Sequence, residues 1–305
     1  MKILIATEKP FASVAIAQMR EVIEENGIEL LLLEKYQSKQ ELLNVVKDVD
    51  GIIIRSDIID AEVMAAAPKL QIVVRAGAGY DNVDLKAASE KGIVVMNTPG
   101  QNANAVAELV FGMLVMMARN HYDGTSGTEL KDKTLGLHAY GNVSRNVARI
   151  AKGFGMKVFA YDPFLTADQI QTEGVHPVKT VEDLYKQCQY VSLHIPATPQ
   201  TIGSINYDLL SLMPKGATLI NTARKEVVDE AGLLRLMEER PDFVYVSDIQ
   251  PAKAAEFEEK CPGRVFFTPK KMGAQTKEAN VNAGIAAAHQ SVNFLKKGID
   301  RFRVN

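Results

Sequence analysis

Short apolar runs alternate with helix-type patterns along almost the whole chain, and this alternation restricts the fold more than any other feature. In the first hundred residues the runs at 3–6, 29–33, 51–54, 71–74 and 93–96 read as strands. Segments such as 12–23 and 39–46 lie between them, with apolar residues at the three- and four-residue spacing of one helix face. A strand that is apolar on both sides must be covered on both. The alternation therefore predicts an α/β fold with doubly wound parallel sheets sandwiched by helices. A long helix over 102–119 closes this series. After the polar, glycine-bearing stretch 121–127 a second series opens, with strands at 134–138, 157–161, 190–193, 218–220 and 244–247. An alanine-rich helix over 276–297 ends it. Two such series in 305 residues predict two domains, and a chain of this size buries roughly three quarters of its unfolded surface.

Composition narrows the partners. Lys and Arg number 35 against 37 Asp and Glu, a formal charge of -2, so no basic field points to nucleic acid. The two cysteines, Cys188 and Cys261, form no Cys-x-x-Cys pair. That speaks against a disulfide framework and for a reducing compartment, and no metal site is expected. The N-terminal apolar run is too short for a signal peptide, and the apolar helix 106–118 is too short for a bilayer and carries Glu108. These features predict a cytoplasmic protein with no membrane partner.

The chemistry concentrates at strand ends. The apolar run 217–220 leads into Asn221-Thr222-Ala223-Arg224-Lys225-Glu226-Val227-Val228-Asp229-Glu230, with Asp229 placed to cap a helix. Arg224 thus stands at the carboxyl end of a strand, where open α/β sheets bind ligands, and offers a planar cation suited to a carboxylate. The alternative is a strand-end cap or an ion pair with Asp229. In the first series Arg55 and Ser56 follow the third strand and Arg75 follows the fourth. Gly77, Ala78 and Gly79 come next and can turn backbone amides toward an anion. With the two arginines this loop suits a phosphate; a surface ion pair is the alternative for Arg55.

These stretches resemble, in order and over nearly the whole chain, the signature segments of the D-isomer-specific 2-hydroxyacid dehydrogenases. The likeness rests on residues 75–84, on Val95-Met96-Asn97-Thr98-Pro99-Gly100 before a helix with Val106-Ala107-Glu108, on Val191-Ser192-Leu193-His194-Ile195-Pro196, and on the Arg224 segment. Within the family it is similar to the short 3-phosphoglycerate dehydrogenases, which lack an added regulatory domain. The resemblance implies a flavodoxin-like substrate-binding domain, 1–98 plus 276–305, carrying an inserted Rossmann-type NAD domain, 99–275, with the active site in the cleft between them. It implies a small-molecule substrate and hydride transfer between a D-2-hydroxyacid and NAD, first of all 3-phosphoglycerate to 3-phosphohydroxypyruvate in serine biosynthesis. It also implies a homodimer, to which helix 106–118 would lend its apolar surface unless that helix is interdomain core. Reduction of glyoxylate or another 2-oxo acid, and a non-catalytic NAD-binding sensor, are the competing readings.

Two departures from the family pattern stand out. Where the family has G-x-G-x-x-G, this chain has Ala139, Gly141 and Ser144 at the three glycine positions. Gly141, which lets backbone approach a pyrophosphate, is kept, and the amides of Asn142 and Val143 remain at the helix start. Asp162 ends the next strand and suits a ribose, favouring NAD over NADP, unless it only starts the turn before Pro163. His194, Ile195 and Pro196 fall on the nicotinamide side, and Thr222, Ala223 and Asp248 complete the implied cofactor contacts. The second departure is catalytic. The family's glutamate is Lys253 here, and its Thr-Pro-His reads Thr268-Pro269-Lys270-Lys271-Met272-Gly273-Ala274. Counted back from Gly273-Ala274, Lys271 takes the histidine's place as base, and counted forward from Thr268-Pro269, Lys270 does; the Gly-Ala turn should anchor the local geometry, which favours Lys271 and leaves Lys270 to the substrate. Surface charge is the alternative for both.

Overall fold

The computed structural model describes residues 1–305. The chain forms two compact units, Met1–Asn102 with Thr276–Asn305, and Ala103–Gln275. The first unit holds β1 (Lys2–Thr7), β2 (Glu29–Glu34), β3 (Gly51–Ile54), β4 (Ile72–Arg75) and β5 (Val94–Asn97). All pairs are parallel, in the order β2-β1-β3-β4-β5. This is the flavodoxin-type order, and the strand sequence reverses between β1 and β3. Every residue of β3 is buried, which is why its run carries no polar alternation. One face of the sheet is covered by the helices Ser13–Glu24 and Lys277–Lys297, which meet Ile3, Ile5, Ile53 and Val74. The alanine-rich side of the long helix has a packing cause. At Gly284 a Cβ would stand 2.8 Å from Met19 Sδ and 3.2 Å from the Phe11 ring, so only small residues let the two helices approach. The chain end lies on the outer strand, where the Val304 amide donates to Val95 O at 2.9 Å, closing an edge that would otherwise stay open.

The second unit holds β6 (Thr134–His138), β7 (Lys157–Tyr161), β8 (His176–Pro177), β9 (Tyr190–Leu193), β10 (Thr218–Asn221), β11 (Val244–Ser247) and β12 (Val265–Phe267). The sheet is parallel throughout, in the order β12-β11-β10-β9-β6-β7-β8. The order reverses between β6 and β9, the point at which a Rossmann sheet takes its ligand. The outermost strands, β8 and β12, were not expected from the sequence: two and three residues are too short to show a period. The helix Asn142–Gly153 turns Val147, Ala148 and Ala151 into the core, where the helix Ala103–Ala118 adds Val110, Phe111 and Leu114. No helix is long and apolar enough to cross a membrane.

Candidate active site

At the end of β10 the chain turns on a buried amide. Asn221 accepts the Ala223 N–H through Oδ1 at 3.0 Å and donates through Nδ2 to Arg224 O at 2.9 Å. The side chain replaces the ladder partners that the turn lacks. Sequence reading passed over Asn221, although an asparagine that ends an apolar run was the available signal. The turn leaves Arg224 extended and exposed, with Nη1 donating to Ala223 O at 3.0 Å. Lys271 donates from Nζ to the same carbonyl oxygen at 2.8 Å. Two cations thus share one acceptor and stand side by side. Burial of the Lys271 ammonium, and then the Arg224 guanidinium, pull the lysine down to about 8, while Asp248 and Glu226 oppose the shift. Part of the Lys271 surface is open to water, which screens these charges. Arg224 is not paired with Asp229, whose Oδ1 accepts Gly232 N at 3.2 Å and caps the helix Glu230–Glu239. Lys270 is exposed.

Asp248, just beyond β11, is fully buried and fastens the turn that carries Lys271. Its Oδ1 accepts Met272 N at 2.7 Å and Thr268 Oγ1 at 3.2 Å, and its Oδ2 accepts Gly273 N at 2.8 Å. Three donors satisfy a buried carboxylate that would be very costly alone. The resemblance assigned Asp248 to the cofactor; here both of its oxygens serve the loop. A Cβ on Gly273 would fall 2.8 Å from Asp248 Oδ2 and 3.1 Å from Val106 Cγ2, so the turn admits only glycine. Gly273 is therefore the fixed point of this segment. Lys253 points its Nζ at Glu256 Oε1, 2.8 Å away, and its amide is held by Glu230.

The dinucleotide loop follows β6. The helix Asn142–Gly153 begins at Gly141 without any side-chain cap, so its first amides have no side-chain acceptor. A Cβ on Gly141 would meet nothing within 4 Å, which leaves open space beside the loop. At the ends of β9 and β10, His194 Nε2 and Thr222 Oγ1 are buried without a hydrogen-bond partner. An open glycine, an uncapped helix start and orphaned polar atoms at neighbouring strand ends fit a dinucleotide. The His194 imidazole is pushed down to about 3 by burial and by His138. It stays neutral at physiological pH. Ile195 is buried and Pro196 exposed. Asp162 accepts Tyr140 N at its Oδ2 and Phe164 N at its Oδ1, each at 2.8 Å. It does start the turn, and about two of its four lone-pair sites remain for a ribose.

In the first unit Arg55 spends its guanidinium on the protein. Nη1 donates to Lys9 O and Pro10 O, each at 3.0 Å, and Nη2 to Asn280 Oδ1 at 2.8 Å. Arg75 donates only its Nε, to Arg55 O at 3.0 Å. Burial lowers both arginines, and Arg55 lowers Arg75 further. Gly77 has φ +148°, a backbone conformation that disfavours any side chain, and the Arg75 guanidinium fills the space beside it. Ser56 and Ala78 are exposed beside these groups. Sequence reading missed Asp57, a buried carboxylate that accepts Glu8 N at 2.7 Å, Tyr36 Oη at 2.9 Å and Arg55 N at 3.2 Å, tying the ends of β1 and β3 together.

Residues 104–262 match the family described as D-isomer specific 2-hydroxyacid dehydrogenase, NAD binding domain. The chain is 34% identical over 291 residues to D-3-phosphoglycerate dehydrogenase of Homo sapiens, covering 91% of this chain and 54% of that protein. It is 37% identical over 222 residues to hydroxypyruvate reductase of Thermotoga maritima, covering 68% and 71%. The crystal structure of NAD+-bound 3-phosphoglycerate dehydrogenase from Entamoeba histolytica is similar with a TM-score of 0.86 and 48% identity, over 100% of this chain and 98% of that one. The chain spans about half the length of the curated phosphoglycerate dehydrogenases it matches. It belongs to the D-isomer specific 2-hydroxyacid dehydrogenase family, and its cofactor is NAD.

Proposed function

We propose that the protein transfers a hydride between a D-2-hydroxyacid and NAD, oxidising 3-phosphoglycerate to 3-phosphohydroxypyruvate at the head of serine biosynthesis. The observation that carries this is the meeting of Arg224 Nη1 and Lys271 Nζ on Ala223 O within an NAD-binding domain. NAD, when bound, supplies the acceptor for the hydride leaving C2. Arg224 binds the carboxylate and polarises the C2 oxygen. Lys271, in its neutral form, takes the hydroxyl proton; its lowered pKa makes that form available near neutral pH. An amine has no tautomer to fix, so the family's glutamate has no task here. The amides of Gly141, Asn142 and Val143 would take the pyrophosphate and Asp162 the ribose. Thr222, Ala223, His194, Ile195 and Pro196 would line the nicotinamide end.

The substrate phosphate falls to the free guanidinium nitrogens of Arg75, the loop of Gly77 and Ala78, and Ser56. Arg55 adds its charge beside them, with three of its five N–H donors already bonded within the protein. A homodimer using the apolar helix Ala103–Ala118 and a cytoplasmic location belong to the same proposal; two free, buried cysteines support the latter.

A substrate panel with NAD tests this. The kcat/KM for 3-phosphoglycerate should exceed that for glycerate and lactate by roughly a hundredfold or more. Arg75→Ala should raise KM for 3-phosphoglycerate more than for glycerate. Faster reduction of hydroxypyruvate or glyoxylate than of the phosphorylated oxo acid would replace the substrate assignment. NAD binding with no turnover on any of them would make the protein a sensor.

A further inference from the structure

We propose that Ser144 is a positioning residue for NAD binding: its hydroxyl holds Ala139 in a left-handed turn, and the two residues act as a coupled replacement for the first and third glycines of the dinucleotide loop. The inference rests on NAD as cofactor and is independent of the roles given to Arg224 and Lys271. Ala139 has φ +76°, a conformation that glycine adopts freely and alanine resists. The turn has not relaxed to suit the alanine, so something holds it. Ser144 is fully buried, and its Oγ donates to Ala139 O at 2.6 Å. A serine inside a helix ordinarily bonds back to a carbonyl of its own helix. This one reaches past the helix start into the loop. Two further ties hold the peptides on either side of Ala139 Cα, Ala139 N to Tyr161 O and Tyr140 N to Asp162 Oδ2, each at 2.8 Å. The Ala139 methyl packs against the core on that side of the sheet. The serine bond fixes the Ala139 carbonyl, and with it the direction in which Gly141 and the uncapped amides of Asn142 and Val143 face. The methyl and the hydroxyl thus do together what two glycines do by having no side chain.

Titration of the whole protein with NAD and NADH, by calorimetry and nicotinamide fluorescence, tests the coupling. S144A should raise the Kd for NAD about tenfold, the loss of one buried hydrogen bond, and raise KM for NAD alike. The kcat at saturating NAD should stay within about twofold, because the groups that move protons are untouched. In the A139G background the same serine change should cost less than about twofold, since glycine keeps the turn unaided. A139G alone should leave Kd within about twofold and raise Tm by about 2–4 °C as the backbone strain is relieved. An unchanged Kd in S144A, or an equal loss in both backgrounds, would overturn the proposal. Should S144A fail to fold, A139G decides alone: a lower Tm would mean that Ala139 is not held against its preference.

Discussion

The two loops in which this chain leaves its family's pattern have adapted in opposite ways. In the dinucleotide loop the side chains change and the geometry stays. Ala139 keeps a glycine's φ, Gly141 keeps the open approach, and Ser144 supplies a bond in place of bare space. In the turn that carries Lys271 the geometry is also fixed, by Asp248 and Gly273, but the chemistry it presents is different. In the proposed assignment an amine takes the place of the family's imidazole, and Lys253, turned toward Glu256, the place of that imidazole's partner. Backbone amides bind a pyrophosphate, so the first loop needs only its backbone preserved. A proton carrier is a side chain, so replacing it changes what the site requires around it.

The largest effect expected from this contrast is at Lys271. Lys271→Ala should lower kcat on the order of a hundredfold or more, with the Kd for NAD within about threefold. Lys270→Ala should change kcat by less than about threefold and act mainly on KM. The pH profile gives the sign. Lysine accepts a proton only when neutral, so hydroxyacid oxidation should rise as pH passes through about 8 and then level. Reduction of the oxo acid, which draws on the ammonium, should fall over the same range. Full activity in Lys271→Ala would remove the amine from the mechanism, and a reversed pattern would move the role to Lys270.

A smaller effect is expected where the Lys271 turn is fastened. Asp248→Asn keeps the shape but offers one oxygen where three donors converge, leaving an N–H facing an N–H. The turn should shift, and kcat should fall roughly ten- to a hundredfold through misplacement of Lys271 Nζ. The Kd for NAD should stay within about threefold. The opposite outcome, weaker NAD binding at unchanged kcat, would return Asp248 to the cofactor.

What the sequence showed and what it hid follow the distance between partners. Strands buried on both faces, such as β3 and β9, are legible because local composition alone decides them. The edge strands β8 and β12 borrow their conformation from neighbours and carry no period of their own. Arg224 and Gly141 are legible because a strand end and a helix start announce them. Asn221 acts locally and was readable in principle, as an amide side chain at a turn. Asp57 and Asp248 were not, since their donors come from elements far along the chain, Glu8 in one case and Met272 with Gly273 in the other. Arg55 shows the same limit in reverse. Its charge and strand-end position suggested a ligand, and the partners that hold three of its five N–H donors, Lys9, Pro10 and Asn280, could not be read from its neighbourhood.

The smallest effect is the most discriminating. Lys253→Glu puts a carboxylate at the position that the proposed assignment gives to the family's glutamate. If that carboxylate serves to fix an imidazole tautomer and steady an imidazolium, it has nothing to do beside a lysine. Lys253 itself forms a half-exposed pair with Glu256, of the kind that contributes little, and its backbone position is held by Glu230 whatever the side chain. Lys253→Glu should therefore leave kcat, KM and the midpoint near pH 8 within about twofold and a few tenths of a pH unit. A new anion close to Lys271 Nζ would instead raise the lysine pKa, moving the oxidation profile to higher pH and slowing the reaction at neutral pH. Such a shift would mean that losing the glutamate was a condition for using lysine as base. No shift would mean that the glutamate became dispensable once the imidazole was gone.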